Sequence, residues 1–159
     1  MKHVSFSVRV GEDFEGRIVD IFQDYARKTD NEQNFLKTAH TDLDYEHGTD
    51  VVVDGIPIDI TCAFSHKNYM KVLPDVIEVS GEQIRFGIRT GNSRVVFGNP
   101  VVVVGIDTDN HFLSTFMSSI CDKISKKVVE IMDIVNERYY EYCDENDIEP
   151  FDYRKVVFD

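Results

Sequence analysis

The segment from Gly48 to Thr61, with the sequence GTDVVVDGIPIDIT, constrains the fold of this chain more than any other stretch. Asp54-Gly55 is typical of a two-residue hairpin turn, because both central positions need a positive φ that these residues tolerate. A turn at this point fixes the register of the two strands by counting, and it sets Asp50 opposite Asp59. The expected pairs nearer the turn are Val53 with Ile56, Val52 with Pro57 and Val51 with Ile58.

Two carboxylates in directly opposed positions, about 5 Å apart at Cβ, destabilise a hairpin unless a cation or a shared proton lies between them. A third acid, Glu15, lies on the predicted preceding helix, at the edge of its apolar stripe. Carboxylate oxygens are ligands for hard divalent cations, and Mg²⁺ needs only one or two of them with waters and substrate phosphates. A site of this kind at a sheet edge suits metal-assisted hydrolysis of phosphodiesters.

The rest of the chain predicts one domain, residues 1–159, of α/β or α+β class, with a mixed central sheet flanked by helices. The stretch from the hairpin to Leu73 is expected to be a loop or a short helix that Pro74 closes. The run Val101–Val104 is typical of a strand buried on both faces. The predicted strands are residues 3–10, the two arms of the hairpin, 75–79, 84–90, 95–97 and 100–106.

Helical spacing of apolar residues predicts two helices. The first opens at Gly11-Glu12-Asp13 and carries Phe14, Ile18 and Phe22 on one face. The second is long and C-terminal, running from about His111 to about Cys143, with a break expected near Ser125. Residues 151–158 follow as a docking strand or an exposed partner motif.

Composition narrows the class of function. A net charge of −12 argues against a nonspecific, charge-driven nucleic-acid binder, which would be basic. The chain has no apolar run near twenty residues, so no membrane span is expected. Its N-terminus lacks the apolar stretch of a signal peptide, and its three cysteines have no metal-type spacing, so we expect a cytoplasmic protein with reduced thiols.

An acid-bearing helix, Gly-x-Asp at 48–50, a short hairpin and a second acid on the next strand resemble the PD-(D/E)xK nuclease superfamily, which has the restriction-endonuclease-like fold. The resemblance spans roughly residues 11–106, and its motif spans only 48–61. By position, Asp50 and Asp59 match the two motif acids, and Glu15 matches the helix acid of many members. The resemblance implies that these three residues are catalytic and hold Mg²⁺ or Mn²⁺ for hydrolysis of nucleic acid.

The chain departs from the family at Thr61, which stands where the motif has a lysine. That lysine orients the attacking water and stabilises charge in the transition state, and a hydroxyl cannot supply the charge. Lys67, Lys71, Arg85 and Arg89 are the available cations, and Lys67 or Arg89 is the candidate catalytic replacement. Arg85 and Arg89 share one face of a predicted strand, and with Thr61 they are candidate substrate contacts.

Two other functions remain open. A catalytically inactive acidic relative, of the phage or mobile-element type, would bind and inhibit a basic nucleic-acid-processing enzyme. The aromatic residues 139–142 and 151–158 would instead suit self-assembly, so a dimer also stays open. The expected partners are therefore nucleic acid or a nucleic-acid-processing protein, with no membrane.

Overall fold

The computed structural model describes residues 5–38, 48–91 and 98–152. Within these ranges, a mixed six-stranded sheet and three helices make up an α+β fold, with two short 3₁₀ turns at Glu32–Asn34 and Phe64–His66. The helices are α1 (Phe6–Lys28), α2 (Asn110–Lys126) and α3 (Val128–Glu145). The strands are β1 (Leu36–Lys37), β2 (Val51–Val53), β3 (Ile56–Thr61), β4 (Lys71–Val79), β5 (Glu82–Thr90) and β6 (Pro100–Gly105).

The strands lie in the order β1-β2-β3-β6-β5-β4. The central pair, β3 and β6, is parallel, and the other neighbouring strands are antiparallel. The hairpin of β4 and β5 connects β3 to β6 within the same sheet. Because β3 and β6 are parallel, their carboxyl ends lie side by side, with Thr61 opposite Gly105.

The hairpin forms in the predicted register. Val53 pairs with Ile56, Val52 with Pro57 and Val51 with Ile58. Asp54 and Gly55 have φ values of 53° and 79°, as a two-residue turn of this kind requires. The predicted pair of Asp50 with Asp59 is not part of this ladder, which ends at Val51 and Ile58. The N–H of Asp50 instead donates to the carbonyl of Ile58 at 2.9 Å.

One face of the sheet packs against the helices. Every second residue of the inner strands enters this core, which also contains the apolar stripe of α1. The β6 run 101–104 is buried on both faces, as its sequence predicts. The sheet residues in this core are Val51, Val53, Ile56, Ile58, Ile60, Ile77, Ile84, Phe86, Ile88, Val102 and Val104, with Leu73 and Val79 at its edge.

The prediction of a strand over residues 3–10 is wrong, because α1 already begins at Phe6. The side chain of Ser5 caps the helix by accepting from the N–H of Val8 at 3.3 Å. Val10 belongs to the same stripe as Phe14, four residues further on, and both are buried. The alternation that suggests a strand arises because exposed apolar residues precede this stripe.

The prediction that Pro74 ends a loop or helix is also wrong, because β4 runs through it. β4 is an edge strand, where a proline need not donate to a neighbour. The register also shifts between Val72 and Val76, so Pro74 lies outside the regular ladder.

The long C-terminal helix is divided in two at Lys127, two residues after the expected break near Ser125. The predicted strand over 95–97 lies outside the described residues, as does most of the segment 151–158. Within the described ranges, no helix is both long enough and apolar enough to cross a membrane.

Candidate functional site

The structure brings the three predicted acids to one place. The carboxyl groups of Asp50 and Asp59 share a hydrogen bond, and Glu15 is close enough to Asp50 to repel its charge. β2 and β3 position the two aspartates, while α1 carries Glu15 half-buried against the sheet. Asp59 is the most enclosed of the three, with 5% of its surface exposed.

Asp50 holds its proton far more tightly than an ordinary aspartate. Burial, followed by the negative charges of Glu15 and Asp59, raises the pKa of Asp50 from 3.8 to about 9. The N–H of Ile60 donates to Asp50 Oδ2 at 2.7 Å and opposes this rise only in part. A proton shared between the two carboxyl groups reduces the repulsion between them. This is one of the two arrangements, a cation or a shared proton, that two adjacent carboxylates allow.

Two cations converge on the other carboxylate. Lys67 Nζ lies 2.8 Å and Arg89 Nε 3.3 Å from the same atom, Asp59 Oδ2. The two cationic side chains are 34% and 17% exposed. This partly enclosed setting makes the ion pairs stronger than pairs on an open surface. Lys67, predicted as the substitute for the motif lysine, thus contacts the second acid directly.

The short 3₁₀ turn after β3 delivers Lys67 to this position. Ser65 ties the turn to the end of β6, since its N–H donates to Asp107 Oδ1 at 2.8 Å and its hydroxyl donates to Asp107 Oδ2. The Tyr69 hydroxyl donates to the carbonyl of Phe64 at 2.5 Å. These bonds fold the chain back over the sheet, so a lysine distant from the motif position reaches Asp59.

Arg89 fixes the segment that leads into Asp50. Its Nη2 atom donates to the carbonyl oxygen of Gly48 at 2.8 Å. The Thr38 hydroxyl donates to the carbonyl oxygen of Thr49, and both threonines are fully buried. The carbonyl groups of the two residues before Asp50 are therefore both held by side chains. Arg89 of β5 binds one of them, and Thr38, which follows β1, binds the other.

Thr61 and Arg85 have other surroundings. The Thr61 hydroxyl accepts from the N–H of Ala63 at 3.0 Å, and the residue is 7% exposed. Arg85 lies over the Phe64 ring, with its guanidinium carbon 4.9 Å from the ring centre. Neither contact involves the acids, so the structure does not bring these two candidate substrate contacts to the carboxylate cluster.

Sequence reasoning missed Tyr69, whose ring lies directly on the backbone of Gly87. A Cβ atom at Gly87 would be 2.5 Å from Tyr69 Cδ1. The available signal was the glycine itself, since a glycine inside a strand often marks the close approach of another group. Asp107 was missed as well, because only the folded chain shows that it anchors Ser65.

Carboxylate oxygens are the ligands that hard divalent cations prefer. The cluster offers the carboxylate oxygens of Asp50, Asp59 and Glu15, and burial, followed by the charges of Glu15 and Asp59, raises the pKa of Asp50. Across the described residues, no group of three or more His, Cys, Asp and Glu side chains has the geometry of a metal-ligand set. Mg²⁺ is usually bound through only one or two protein carboxylates, with waters and substrate phosphates as its other ligands.

Comparison with known proteins finds no match to the chain among family models, curated proteins or solved structures. Its function is therefore argued from the site alone.

Proposed function

We propose that the chain is a divergent metal-dependent nuclease that hydrolyses phosphodiesters of nucleic acid at the Asp50–Asp59 cluster. The observation that carries this proposal is the 2.8 Å contact between Lys67 Nζ and Asp59 Oδ2. It supplies a positive charge beside the second acid although Thr61 occupies the motif position. The proximity of Asp50 and Glu15 to this pair also supports the proposal.

Asp50, Asp59 and Glu15 would hold Mg²⁺ or Mn²⁺, which when bound polarises a phosphoryl oxygen and lowers the pKa of water. In hydrolysis the water oxygen bonds to phosphorus and gives up one proton to solvent, the bond from phosphorus to the leaving oxygen breaks, and the leaving oxygen takes up a proton. Lys67 orients the water and stabilises the negative charge that develops on the phosphoryl group. Arg89 keeps Asp59 and the segment before Asp50 in register with each other.

The test is cleavage of labelled single- and double-stranded DNA and RNA in the presence of Mg²⁺ or Mn²⁺. We expect the wild type to cleave, and Asp59→Asn and Lys67→Gln each to lower the rate about 100-fold or more. Lys71→Gln is the matched control, because Lys71 lies near in sequence but pairs with Glu145 instead. A rate unchanged in Asp59→Asn, or no cleavage of any substrate, would overturn the proposal.

A second candidate is an inactive acidic protein that covers the basic groove of a nucleic-acid-processing enzyme. Lys67 and Arg89 both pair with Asp59, so protein cations already neutralise the carboxylate that a metal would use. The net charge of −12 complements a basic groove. This candidate predicts inhibition of a basic nuclease that persists at moderate salt, and inhibition that vanishes there would remove it.

Both candidates act on cytoplasmic partners, and we propose that location for the protein. The three cysteines, Cys62, Cys121 and Cys143, are free, as expected in a reducing compartment. Fractionation of cells that produce the tagged protein would test the location.

A further inference from the structure

The two cations that contact Asp59 are anchored differently, and Arg89 is the firmly held one. Its Nε atom lies 3.3 Å from Asp59 Oδ2. Its other two nitrogens donate to backbone carbonyl oxygens, Nη2 to that of Gly48 at 2.8 Å and Nη1 to that of Thr90 at 3.3 Å. Only 17% of the side chain is exposed. Arg89 is therefore part of the framework of the site, and its removal would disturb the segment before Asp50 as well as Asp59.

Lys67 is held at a single point. Among the residues that the structure describes, its ammonium group forms one polar contact, with Asp59 Oδ2 at 2.8 Å. The side chain is 34% exposed, twice the exposed fraction of Arg89, and it leaves the chain just after the 3₁₀ turn Phe64–His66. A lysine carries a compact charge on a flexible four-carbon stem. Lys67 can therefore leave Asp59 without breaking any other side-chain contact of the described chain.

The carboxyl group of Asp59 is fully engaged while Lys67 is in place. Both protein cations lie on Oδ2, and the group also shares a hydrogen bond with Asp50. The side chain of Asp59 is 8% exposed, so water screens little of the repulsion between cations gathered on it. A further cation on this carboxylate therefore favours departure of the cation that is anchored least, which is Lys67.

We propose that Lys67 is a displaceable counter-ion, which occupies the place of a divalent cation on Asp59 and leaves it when such a cation binds. This inference rests on the proposed metal-dependent function and adds a regulation of the same site. The displaced ammonium group stays tethered beside the carboxylates, where it contacts a phosphoryl oxygen of the substrate. Lys67 is thus held away from substrate until the site is loaded.

The charges of the cluster favour this exchange. The ammonium group offsets one carboxylate with a single charge, whereas a divalent cation brings two charges to a place where Asp50, Asp59 and Glu15 lie together. The exchange also lowers the affinity of the site, because the contact between Lys67 and Asp59 has to be broken first. By thermodynamic linkage, a phosphate group that holds Lys67 strengthens cation binding by the same factor by which the cation strengthens phosphate binding.

The test is titration of the protein with Mn²⁺, followed by the paramagnetic resonance signal of the free ion, in the wild type and in Lys67→Met. Methionine keeps an apolar stem and removes the competing charge, while Arg89 continues to neutralise Asp59. We expect Lys67→Met to bind Mn²⁺ about tenfold more tightly than the wild type. Circular dichroism checks that the variant is folded.

Lys71→Met is the matched control, because it changes the net charge by the same amount but removes a lysine that pairs with Glu145. Its Kd for Mn²⁺ should stay close to that of the wild type. A second measurement uses the unmodified chain: acetylation of each lysine is followed by peptide mass spectrometry with and without Mg²⁺. Mg²⁺ should raise the acetylation rate of Lys67 several-fold, since the amine loses its carboxylate partner, and should leave that of Lys71 unchanged.

Equal Kd values for the wild type and Lys67→Met, or equal tightening in Lys71→Met, would overturn the displacement of Lys67 and leave the nuclease function standing. Absence of Mn²⁺ binding in both the wild type and Lys67→Met would overturn the displacement and the metal-dependent function together. Tighter binding by Lys67→Met, without cleavage of any nucleic acid by the wild type, would support the displacement and overturn the nuclease function.

Discussion

Arg89 Nη2 lies 2.8 Å from the carbonyl oxygen of Gly48, while Nε of the same guanidinium lies 3.3 Å from Asp59 Oδ2. One side chain of β5 therefore joins the segment that enters β2 to the acid of β3. Gly48 has a φ of +74°, and a Cβ atom there would be 2.6 Å from Arg89 Nη2. The glycine is thus needed both for its backbone conformation and for the space that the guanidinium occupies.

The first prediction concerns Gly48→Ala. The added methyl group should push the guanidinium of Arg89 away from the Gly48 carbonyl and from Asp59. We expect the free energy of unfolding to fall by about 2–4 kcal/mol, from a strained positive φ and the loss of charged hydrogen bonds. Urea unfolding of the variant and of the wild type measures the difference.

Gly55→Ala separates these two causes. Gly55 has nearly the same φ, +79°, but no atom lies within 4 Å of the added Cβ. This control should lose only the conformational part, about 1 kcal/mol. Equal losses at the two positions would show that the contact between Arg89 and Gly48 contributes nothing.

The second prediction is that Asp50→Asn stabilises the protein at neutral pH. Asparagine keeps an oxygen that can accept from the Ile60 N–H and gains a donor toward Asp59, but it has no charge to bury. We expect a gain of about 0.5–2 kcal/mol in the free energy of unfolding at pH 7–8, together with a loss of any nuclease activity. Urea unfolding of both proteins across pH tests this.

The pH dependence of that gain follows from linkage. Because the pKa of Asp50 is raised from 3.8 to about 9 in the folded state, the stabilisation by its proton is complete below about pH 4 and is lost as pH rises through 9. The advantage of Asp50→Asn should therefore be smallest near pH 4 and should grow toward pH 9. A variant less stable than wild type at every pH would contradict this account of Asp50.

The sequence predicted those parts of the fold that depend on neighbouring residues. Asp54-Gly55 specifies its turn locally, so the three strand pairs next to the turn could be counted out in advance. The start of α1 was missed because the alternation of apolar residues before Val10 fits a strand. In the folded chain, the cap at Ser5 and the burial of Val10 in the core stabilise a helix there instead.

The contacts around Asp59 depend on distant parts of the chain. Lys67 was among several cations that could have served the site, and its selection follows from the anchoring of Ser65 by Asp107, 42 residues away in the chain. Arg89 was expected to contact substrate because it shares a face with Arg85. Pairing of β5 with β6, and of β6 with β3, instead brings it to Asp59.

The third prediction concerns Asp54, which does more than form a turn. Its carboxylate accepts from the Tyr25 hydroxyl at 3.3 Å, from Asn31 Nδ2 at 2.5 Å and from Asn136 Nδ2 at 3.0 Å. These donors come from α1, the following loop and α3, so one carboxylate fastens the hairpin to the helices. Asp54→Ala should lower the free energy of unfolding by about 2–4 kcal/mol, because it leaves partly buried donors without an acceptor.

Asp30→Ala is the control for this change. Asp30 has a φ of 54°, close to the 53° of Asp54, so the alanine meets the same conformational strain at both positions. Its loss should be about 1 kcal/mol, from the positive φ alone. If both variants lose the same amount in urea unfolding, the three hydrogen bonds to Asp54 have no net effect on stability.

The fourth prediction tests the attachment of the edge strand β4 to α3. Arg138 forms a two-point ion pair with Asp75, with Nε–Oδ2 at 2.8 Å and Nη2–Oδ1 at 3.2 Å, and both side chains are about three-quarters buried. Asp75 lies where the register of β4 shifts, outside the regular ladder, so this pair joins β4 to α3 at an irregular part of the strand. A double-mutant cycle of Arg138→Ala and Asp75→Ala should give a coupling energy of about 1–2 kcal/mol.

The pair of Lys28 with Asp24 provides the comparison, since its atoms are equally close, at 2.9 Å, but its side chains are 77% and 48% exposed. Its coupling energy should be about 0.5 kcal/mol or less, because solvent screens an exposed pair and a lysine makes a single-point contact. Raising the salt concentration should weaken this exposed pair more than the pair of Arg138 with Asp75. Equal coupling energies for the two pairs would mean that β4 is held to α3 by apolar contacts alone, and that the arginine adds nothing to them.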